Sequence, residues 1–455
     1  MPKLNNILSW GSFGLLALAV IFGPWLYGAW EMWFFWPLAV MIFISTALFS
    51  IRLMTQEGLQ DIANINNKKS FGLMVGSYLM FLVYALIRAI TSEVYMDAER
   101  SFLLFLLPFL IGIQIICSFT HFQRDILFKL IVVDLLCLGA YGIANHFITH
   151  NVYVLFMRGY EQYYIDNRAT GTYFCPDHFS GIMELALCIG LGFAFTSRQP
   201  IKIKLLSALL VLMALTGVVL SKSRGGGLTV IVIFIAALAW GLSRKSRLSR
   251  LYIRSACMAF FVLSILLFAA VDSPYMKRFK SYFISPQAKS LPLIAKVEQV
   301  GIRLRQTSRG HMFAGAYQAW KSSPLIGIGA GMHQNLWPRY SNSGDGDRAE
   351  GTWPTYNYSD LHSYEVHNDW LQLLEEYGII GVLLFLFPAG VALFLLLKSR
   401  AYNHVMGLTG VLSFVCMAFH SFGDFNLQMP SITWLLSCLL AIPIAIYVKH
   451  QKQDK

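Results

Sequence analysis

The sequence predicts an all-α, polytopic membrane protein of about twelve transmembrane helices with one long extracytoplasmic helical loop. Of its 455 residues, 56% are hydrophobic and only 13% are charged, and the mean hydropathy is +0.55. A soluble domain carries roughly 25% charged residues because water must cover its surface. Apolar runs also recur almost from end to end, which indicates that lipid covers most of this chain.

Each apolar run is about 17–23 residues long, enough to cross a hydrocarbon core of roughly 30 Å. The predicted spans are 7–23, 30–50, 71–90, 101–118, 126–148, 178–197, 203–220, 226–242, 253–271, 378–397, 404–421 and 430–448. Three regions follow from them. Residues 1–271 hold transmembrane helices 1–9, residues 272–377 form the extracytoplasmic loop, and residues 378–455 hold helices 10–12 with a cytoplasmic C-terminus.

The basic residues predict the orientation of these spans. A net charge of +12 would favour nucleic acid as the partner of a soluble protein. In a membrane protein, Lys and Arg instead mark the cytoplasmic connections. They concentrate in alternate connections, beginning with Lys3, Arg52, Lys68 and Lys69. The pattern therefore predicts that both termini are cytoplasmic, and it gives no support to a nucleic-acid partner.

Two cations oppose this orientation. Lys222 and Arg224 lie in Ser221-Lys-Ser-Arg-Gly-Gly, which joins two spans at an outer helix end with almost no loop. Cations at the mouth of a helix bundle favour an anionic partner. The alternative is that both side chains simply extend to the outer lipid headgroups.

The loop contains a histidine in a setting that suits proton transfer. Trp370, Leu373, Leu374 and Tyr377 share one helical face, with Asn368 as a good N-cap and Gly378 as a helix end. His367 therefore precedes a helix N-terminus, where the helix dipole favours the neutral, proton-accepting imidazole. A cap or solvent contact is the competing interpretation.

Four short motifs follow one another along residues 160–435. They are Arg168-Ala-Thr-Gly-Thr-Tyr-Phe-Cys-Pro-Asp-His178-Phe, Ser221-Lys-Ser-Arg-Gly-Gly, the stretch Arg309 to Gly381, and His420-Ser-Phe-Gly-Asp424-Phe-Asn-Leu-Gln-Met-Pro430. The third, together with the serine before it, contains Ser308-Arg-Gly, Trp320, Pro324-Leu-Ile-Gly-Ile-Gly and His367-Asn-Asp-Trp-Leu-Gln. Together they resemble the O-antigen ligase superfamily, which includes O-antigen ligases, O-antigen polymerases and bacterial protein O-oligosaccharyltransferases. Many relatives carry Asn-Pro-Asn-His at 175–178, so a polar role for Cys175 or Asp177 stays open.

The resemblance implies a GT-C-like glycosyltransferase of the bacterial inner membrane, with its site on the periplasmic side. The donor would be a glycan on a polyprenyl (undecaprenyl) diphosphate, and the acceptor a hydroxyl of lipid A-core, glycan or protein. His367 would take the acceptor proton, and Arg224 and Arg309 would stabilise the departing diphosphate. Single displacement would invert the anomeric centre. Further substrate-binding candidates are Lys222, Arg168, His178, Asp424 and His420. Asp424 and His420, at an outer helix end, could instead orient His367 or an arginine, or simply cap a helix.

No cofactor or metal is expected. Asp345-Gly346-Asp347 could hold a divalent ion, but its Gly/Ser/Asn-rich surroundings favour a solvated turn. Asp134 and Glu184 lie inside spans, where either a functional role or a hydrogen bond to a neighbouring helix would account for them. A transporter or flippase and a structural scaffold are the competing classes. We see no internal repeat with broken spans, which a transporter would favour.

Overall fold

The computed structural model describes residues 2–195, 200–242, 307–341, 362–399 and 404–449, together with residues 255, 258 and 262. Nearly all regular structure in these residues is helical. It includes two short 3-10 helices, Tyr27–Ala29 and Asn426–Gln428, and the exception is one antiparallel hairpin of β1 (Tyr153–Val154) and β2 (Met157–Arg158).

Ten helices of the described residues are long and apolar enough to cross a membrane. They are α1 (Pro2–Trp25), α2 (Met32–Leu53), α4 (Lys68–Ile90), α5 (Tyr95–Cys117), α6 (His121–Ile148), α8 (Pro176–Ala194), α9 (Ile201–Ser221), α10 (Arg224–Leu242), α13 (Asp369–Ser399) and α15 (Pro430–Lys449). An apolar but shorter helix is α14 (His404–His420). The remaining helices are α3 (Gln56–Ala63), α7 (Glu161–Ile165), α11 (Ser308–Ser322) and α12 (His333–Tyr340). The protein is an all-α polytopic membrane protein.

Eleven of the twelve predicted spans coincide with these apolar helices. The predicted span 253–271 falls outside the described residues, apart from three single positions. The Asp345-Gly346-Asp347 motif also lies outside them. The prediction that almost no loop separates two spans near Lys222 is confirmed, because α9 ends at Ser221 and α10 begins at Arg224.

Helix α8 lies at the centre of the described bundle. Every residue from Pro176 to Gly192 is buried, and the helix packs against α9, α10 and α14. Gly226 allows α10 to approach it closely, since a Cβ atom built there would lie 1.9 Å from the Ser180 Oγ. This contact holds Arg224, in the same turn of α10, beside the first turns of α8.

Several helix ends meet at one end of the bundle, which we call the site end. The loop between α7 and α8 crosses it and ties the helices together. Ala169 N donates to Leu220 O (2.9 Å), and the Thr172 hydroxyl donates to Pro24 O (2.7 Å). The Tyr173 hydroxyl contacts Ser431 Oγ at 2.9 Å. The ends of α1 and α9 and the start of α15 therefore lie close together.

Helix α13 breaks at Gly378, which confirms the predicted end of the amphipathic helix. Gly378 has φ 64° and ψ −175°, a conformation essentially confined to glycine. A break leaves backbone groups without helical partners. The segment Pro324–Gly329 supplies them: Ile328 N and Gly329 N donate to the carbonyls of Glu375 and Glu376 at 2.8 and 3.1 Å. Ile379 N and Ile380 N donate back to Pro324 O and Leu325 O at 3.0 and 3.1 Å.

Candidate active site

Asp424 joins two of the predicted catalytic residues. It lies in the turn between α14 and α15 and is 1% exposed. Its Oδ2 accepts a hydrogen bond from Arg309 Nη2 at 3.0 Å, and its Oδ1 lies 3.0 Å from His367 Nδ1. Arg309 and His367 are 58 residues apart in the sequence, and both contact the same buried carboxylate.

Arg309 is placed by the start of α11. The Thr307 side chain caps this helix by accepting from Gly310 N at 3.0 Å, as an N-cap threonine does. From the first turn, Arg309 reaches Asp424, donates through Nη1 to the carbonyl of Gly423, and contacts Asp177 Oδ2 at 3.3 Å. Its side chain remains 28% exposed, so Arg309 is held in place yet partly open to solvent.

His367 adopts a left-handed backbone conformation, with φ 58°. Non-glycine residues pay about 1–2 kcal/mol for such a conformation, so neighbouring contacts must impose it. Asn368 caps α13 by accepting from Leu371 N (3.0 Å), which confirms the predicted N-cap. Asp369 anchors the turn: its N donates to Ser421 O (2.9 Å), and its Oδ2 accepts from the Ser421 hydroxyl and from Leu427 N.

Asp177 is a central residue that the sequence did not assign. Its Oδ1 accepts from Arg168 Nη2 at 3.0 Å, while its Oδ2 faces Arg309. The Ser223 hydroxyl also bonds to it. Arg168 in turn donates through Nε to Ser221 O at 2.9 Å. The side chains of Arg168, Asp177, Arg309 and Asp424 therefore form one chain of alternating charges that ends at His367.

The sequence indicates a role for Asp177 only indirectly. A carboxylate in the first turn of an apolar helix is stabilised by the helix dipole. Once buried, it also needs a cationic partner. Two arginines from separate segments supply that partner, and neither is a neighbour in sequence.

The charges of this chain stabilise one another. Burial favours the neutral carboxyl of Asp424, but Arg309 and His367 outweigh it and hold the pKa of Asp424 well below its ordinary value. Burial also disfavours the charge of Arg309, but Asp424 and Asp177 outweigh it and raise the pKa of the guanidinium. The site is therefore a fixed array of ionised groups.

His178 lies beside this array rather than in it. It is 1% exposed, and its Nδ1 contacts Asn426 Oδ1 at 3.0 Å. The Phe425 ring separates it from His367, with ring centroids 4.5 and 4.6 Å away. Residues 424–426 thus contact both histidines and Arg309, which makes this turn the organising element of the site.

The remaining predicted residues lie around the site with different partners. A Cβ built on Gly225 would lie 3.4 Å from His420 Nε2, and one built on Gly423 would lie 3.9 Å from Gly225 Cα. The backbone next to Arg224 therefore borders the Asp424 turn, and Arg224 is half-buried. Lys222, at φ 53°, donates through Nζ to Asp166 O at 2.7 Å. Its ammonium group thus bonds to the loop that leads to Arg168.

His420 and Glu184 form a buried pair beneath the site. His420 Nδ1 lies 2.8 Å from Glu184 Oε2, and Ser180 donates to the other carboxylate oxygen at 2.9 Å. Both side chains of the pair are 0% exposed. Asp134 instead accepts from Trp25 Nε1 at 2.6 Å. Of Asp134 and Glu184, Glu184 is therefore the one that pairs with a predicted site residue.

The chain is similar to a known protein family over part of its length. Residues 208–386 match the family model described as O-antigen ligase. No curated protein matches the chain. The matched stretch includes four predicted site residues: Lys222, Arg224, Arg309 and His367. The family indicates an enzyme of the glycosyltransferase or ligase type, with a role in membrane glycan transfer during polysaccharide or O-antigen assembly. Residues 208–386 thus match the O-antigen ligase family model, which is consistent with the O-antigen ligase superfamily that the motifs of the chain resemble.

Proposed function

We propose that the protein transfers a glycan from a polyprenyl diphosphate carrier to a hydroxyl acceptor at the periplasmic face of the bacterial inner membrane. In this proposal it acts as an O-antigen ligase or a surface-polysaccharide polymerase, without a metal ion and with inversion at the anomeric carbon. The observation that carries the proposal is the pair of Asp424 contacts, which put a guanidinium and an imidazole on the two oxygens of one carboxylate.

The imidazole is suited to take the acceptor proton. With a proton on Nδ1 donated to Asp424, the lone pair of His367 is on Nε2. The acceptor hydroxyl would give its proton to Nε2 as its oxygen forms a bond to the anomeric carbon. The bond between that carbon and the phosphate oxygen breaks, and its electron pair leaves with the polyprenyl diphosphate. A carboxylate that orients a histidine in this way also stabilises the imidazolium that forms.

The arginines are suited to the leaving group. The diphosphate gains negative charge as the sugar–phosphate bond breaks, so preorganised cations lower the barrier. Arg309 is partly exposed and held by two carboxylates and a carbonyl, which reduces the reorganisation that binding requires. Arg224 begins α10 next to the Asp424 turn. In a site of this composition the arginines, rather than a metal ion, would neutralise the diphosphate.

Glycan transfer is therefore expected to persist in the presence of EDTA. The assay combines the purified protein in nanodiscs with a synthetic polyprenyl-diphosphate-linked glycan and an acceptor glycoside, with and without the chelator. Because arginine charges need no metal, the rates should agree within about twofold. A rate that falls with EDTA and recovers with added Mg²⁺ or Mn²⁺ would assign the charge-neutralising role to a metal.

The surface polysaccharide of a strain that lacks this protein is expected to identify the acceptor class. Unligated, lipid-linked long chains would identify a ligase, and single repeat units would identify a polymerase. A strain complemented with the unchanged protein serves as the control. Unaltered polysaccharide with under-glycosylated proteins would contradict both forms and favour a protein O-oligosaccharyltransferase. Donor trapped on the cytoplasmic side would favour a flippase.

A further inference from the structure

The described residues hold a second polar cluster, formed by His333, Ser363 and Glu375, which the proposed chemistry does not use. His333 begins α12, Ser363 lies four residues before His367, and Glu375 lies in α13 before its break at Gly378. All three side chains are buried, with exposures of 1%, 1% and 2%. His333 Nδ1 lies 2.8 Å from Glu375 Oε2, and its Nε2 lies 3.0 Å from Ser363 Oγ.

With Glu375 ionised, the hydrogen bonds of the cluster require a doubly protonated imidazole. Ser363 has one hydroxyl proton, which it donates to Glu365 O at 2.9 Å. Its oxygen then accepts from His333, so Nε2 must carry a proton. Nδ1 faces a carboxylate and must carry a proton as well. With Glu375 ionised, only the imidazolium makes all three contacts at once: a neutral ring protonated at Nδ1 would draw the Ser363 proton away from the Glu365 carbonyl, and one protonated at Nε2 would leave Nδ1 without a proton to donate to the carboxylate.

The charges around His333 agree with this assignment. Burial disfavours the imidazolium, but the carboxylate of Glu375 outweighs it and raises the pKa of His333. Glu376 on α13 and Glu365 on the preceding loop act in the same direction. Asp97 and Arg100 of α5 line the cavity that borders His333.

The cluster lies at one end of the segment that presents His367. Residues 363–367, here called the presenting segment, lead directly into the strained φ of 58° at His367. Downstream, Asp369 and Asp424 hold the turn. Upstream, the anchors are the Ser363 contacts and the hydrogen bond from Val366 N to Gln372 Oε1 at 3.1 Å. A strained residue keeps its geometry only when the surrounding structure holds it.

We propose that His333 is a positioning residue for His367: as an imidazolium between Glu375 and Ser363, it fixes the presenting segment and so aims the base at the acceptor. This inference rests on the proposed function of His367. Loss of the proton from His333 breaks the Ser363–Glu365 bond and the charge pair, and the base is then held less well. The acceptor step slows, while donor binding at Arg309 is unaffected.

The kinetic test compares H333Q with the unchanged protein between pH 6 and pH 10, in the same nanodisc assay. At neutral pH, kcat is expected to fall about tenfold, as for loss of one buried hydrogen bond to a charged group, while KM for the donor stays within about twofold. The unchanged protein should lose activity as the pH rises through the pKa of His333, and H333Q should lack this loss of activity at alkaline pH.

A second variant, S363A, keeps the charge pair between His333 and Glu375 and removes the hydroxyl that accepts from His333, so its kcat should also fall. H362Q, at an exposed neighbouring position, serves as the control.

A second test does not depend on catalysis. Because the folded pKa of His333 is raised, its contribution to stability is fully present below the unfolded value of about 6.5 and is lost as the pH rises through the folded value. Thermal unfolding of the unchanged protein should therefore show a loss of stability over that pH range that H333Q does not show.

Two results would overturn the inference: a kcat loss in H333Q that is equal at every pH, or a loss of activity at alkaline pH that survives in the variant. Full activity of an H367Q variant would overturn the proposed function instead.

Discussion

Replacement of His367 by glutamine is expected to lower kcat for glycan transfer by about 10²- to 10⁴-fold, the usual contribution of a general base. Glutamine offers no lone pair that can accept a proton at neutral pH. The donor arginines are untouched, so KM for the lipid-linked donor should change little. The measurement is a single-turnover assay with excess protein, which separates the transfer step from product release.

The matched control for this variant is H121Q. His121 begins α6, its side chain is 70% exposed, and among the described residues it pairs with Asp125 one turn later. It should retain full activity. The side chain of His367 is itself 24% exposed, so H367Q should unfold within a few degrees of the unchanged protein. Transfer at the original rate by a folded H367Q would exclude His367 as the base.

Replacement of Asp424 by asparagine is expected to impair both activity and stability. The change leaves Arg309 with one carboxylate partner and removes the group that orients the His367 ring. Loss of an orienting carboxylate costs up to about 10⁴-fold in enzymes that use a histidine base, so kcat should fall by about 10²- to 10⁴-fold. Breaking a fully buried ion pair costs about 3–5 kcal/mol, and the partial exposure of Arg309 places the expected loss below that range.

The difference in stability between D424N and the unchanged protein should be lost only at low pH. The folded pKa of Asp424 lies below its ordinary value. Its contribution is therefore complete above the unfolded pKa of about 3.9 and is lost only as the pH falls through the lower, folded value. Thermal unfolding of D424N and the unchanged protein should differ by a constant amount from pH 5 to pH 8. D61N removes a carboxylate from an ion pair with Arg52 elsewhere in the chain, and it should leave kcat unchanged.

A D424N variant with full activity but reduced stability would limit Asp424 to a structural role. The His367 ring would then be oriented by its packing against Phe425 alone. A variant that loses activity without loss of stability would instead show that the ion pair with Arg309 contributes little to folding. The two measurements thus separate the two contacts of one carboxylate.

The helices of this protein could be predicted from the sequence because their cause is local. Inside a bilayer every backbone N–H and C=O must bond within its own segment, so each apolar run of sufficient length becomes a helix. The cap at Asn368 and the break at Gly378 were predicted for the same reason, since both depend on the conformational preferences of single residues. The hydrogen-bond partners of the backbone at this helix break could not be predicted, because they come from Pro324–Gly329, about fifty residues earlier in the chain.

The candidate site could be predicted in part. His367 and Arg309 stood out by motif, and the resemblance suggested Asp424, but nothing local showed that one carboxylate joins them. Asp177 was left open, although it bonds to both Arg168 and Arg309. His333 was not singled out at all, because a histidine at the start of a short helix carries no distinctive pattern. A buried charge requires a partner, but sequence spacing does not identify which one.

The sequence by itself determined that the chain crosses a membrane many times, which end of which helix carries a cation, and which histidine precedes a helix. These properties follow from hydropathy, charge and backbone preference, each of which acts over a few residues. Only the tertiary structure decided which charges meet. The carboxylates of Asp177 and Asp424 come from different helix ends, and each lowers its energy by sharing Arg309. Two carboxylates can share an arginine only if all three groups lie close together in space, and the packing of the whole bundle decides whether they do.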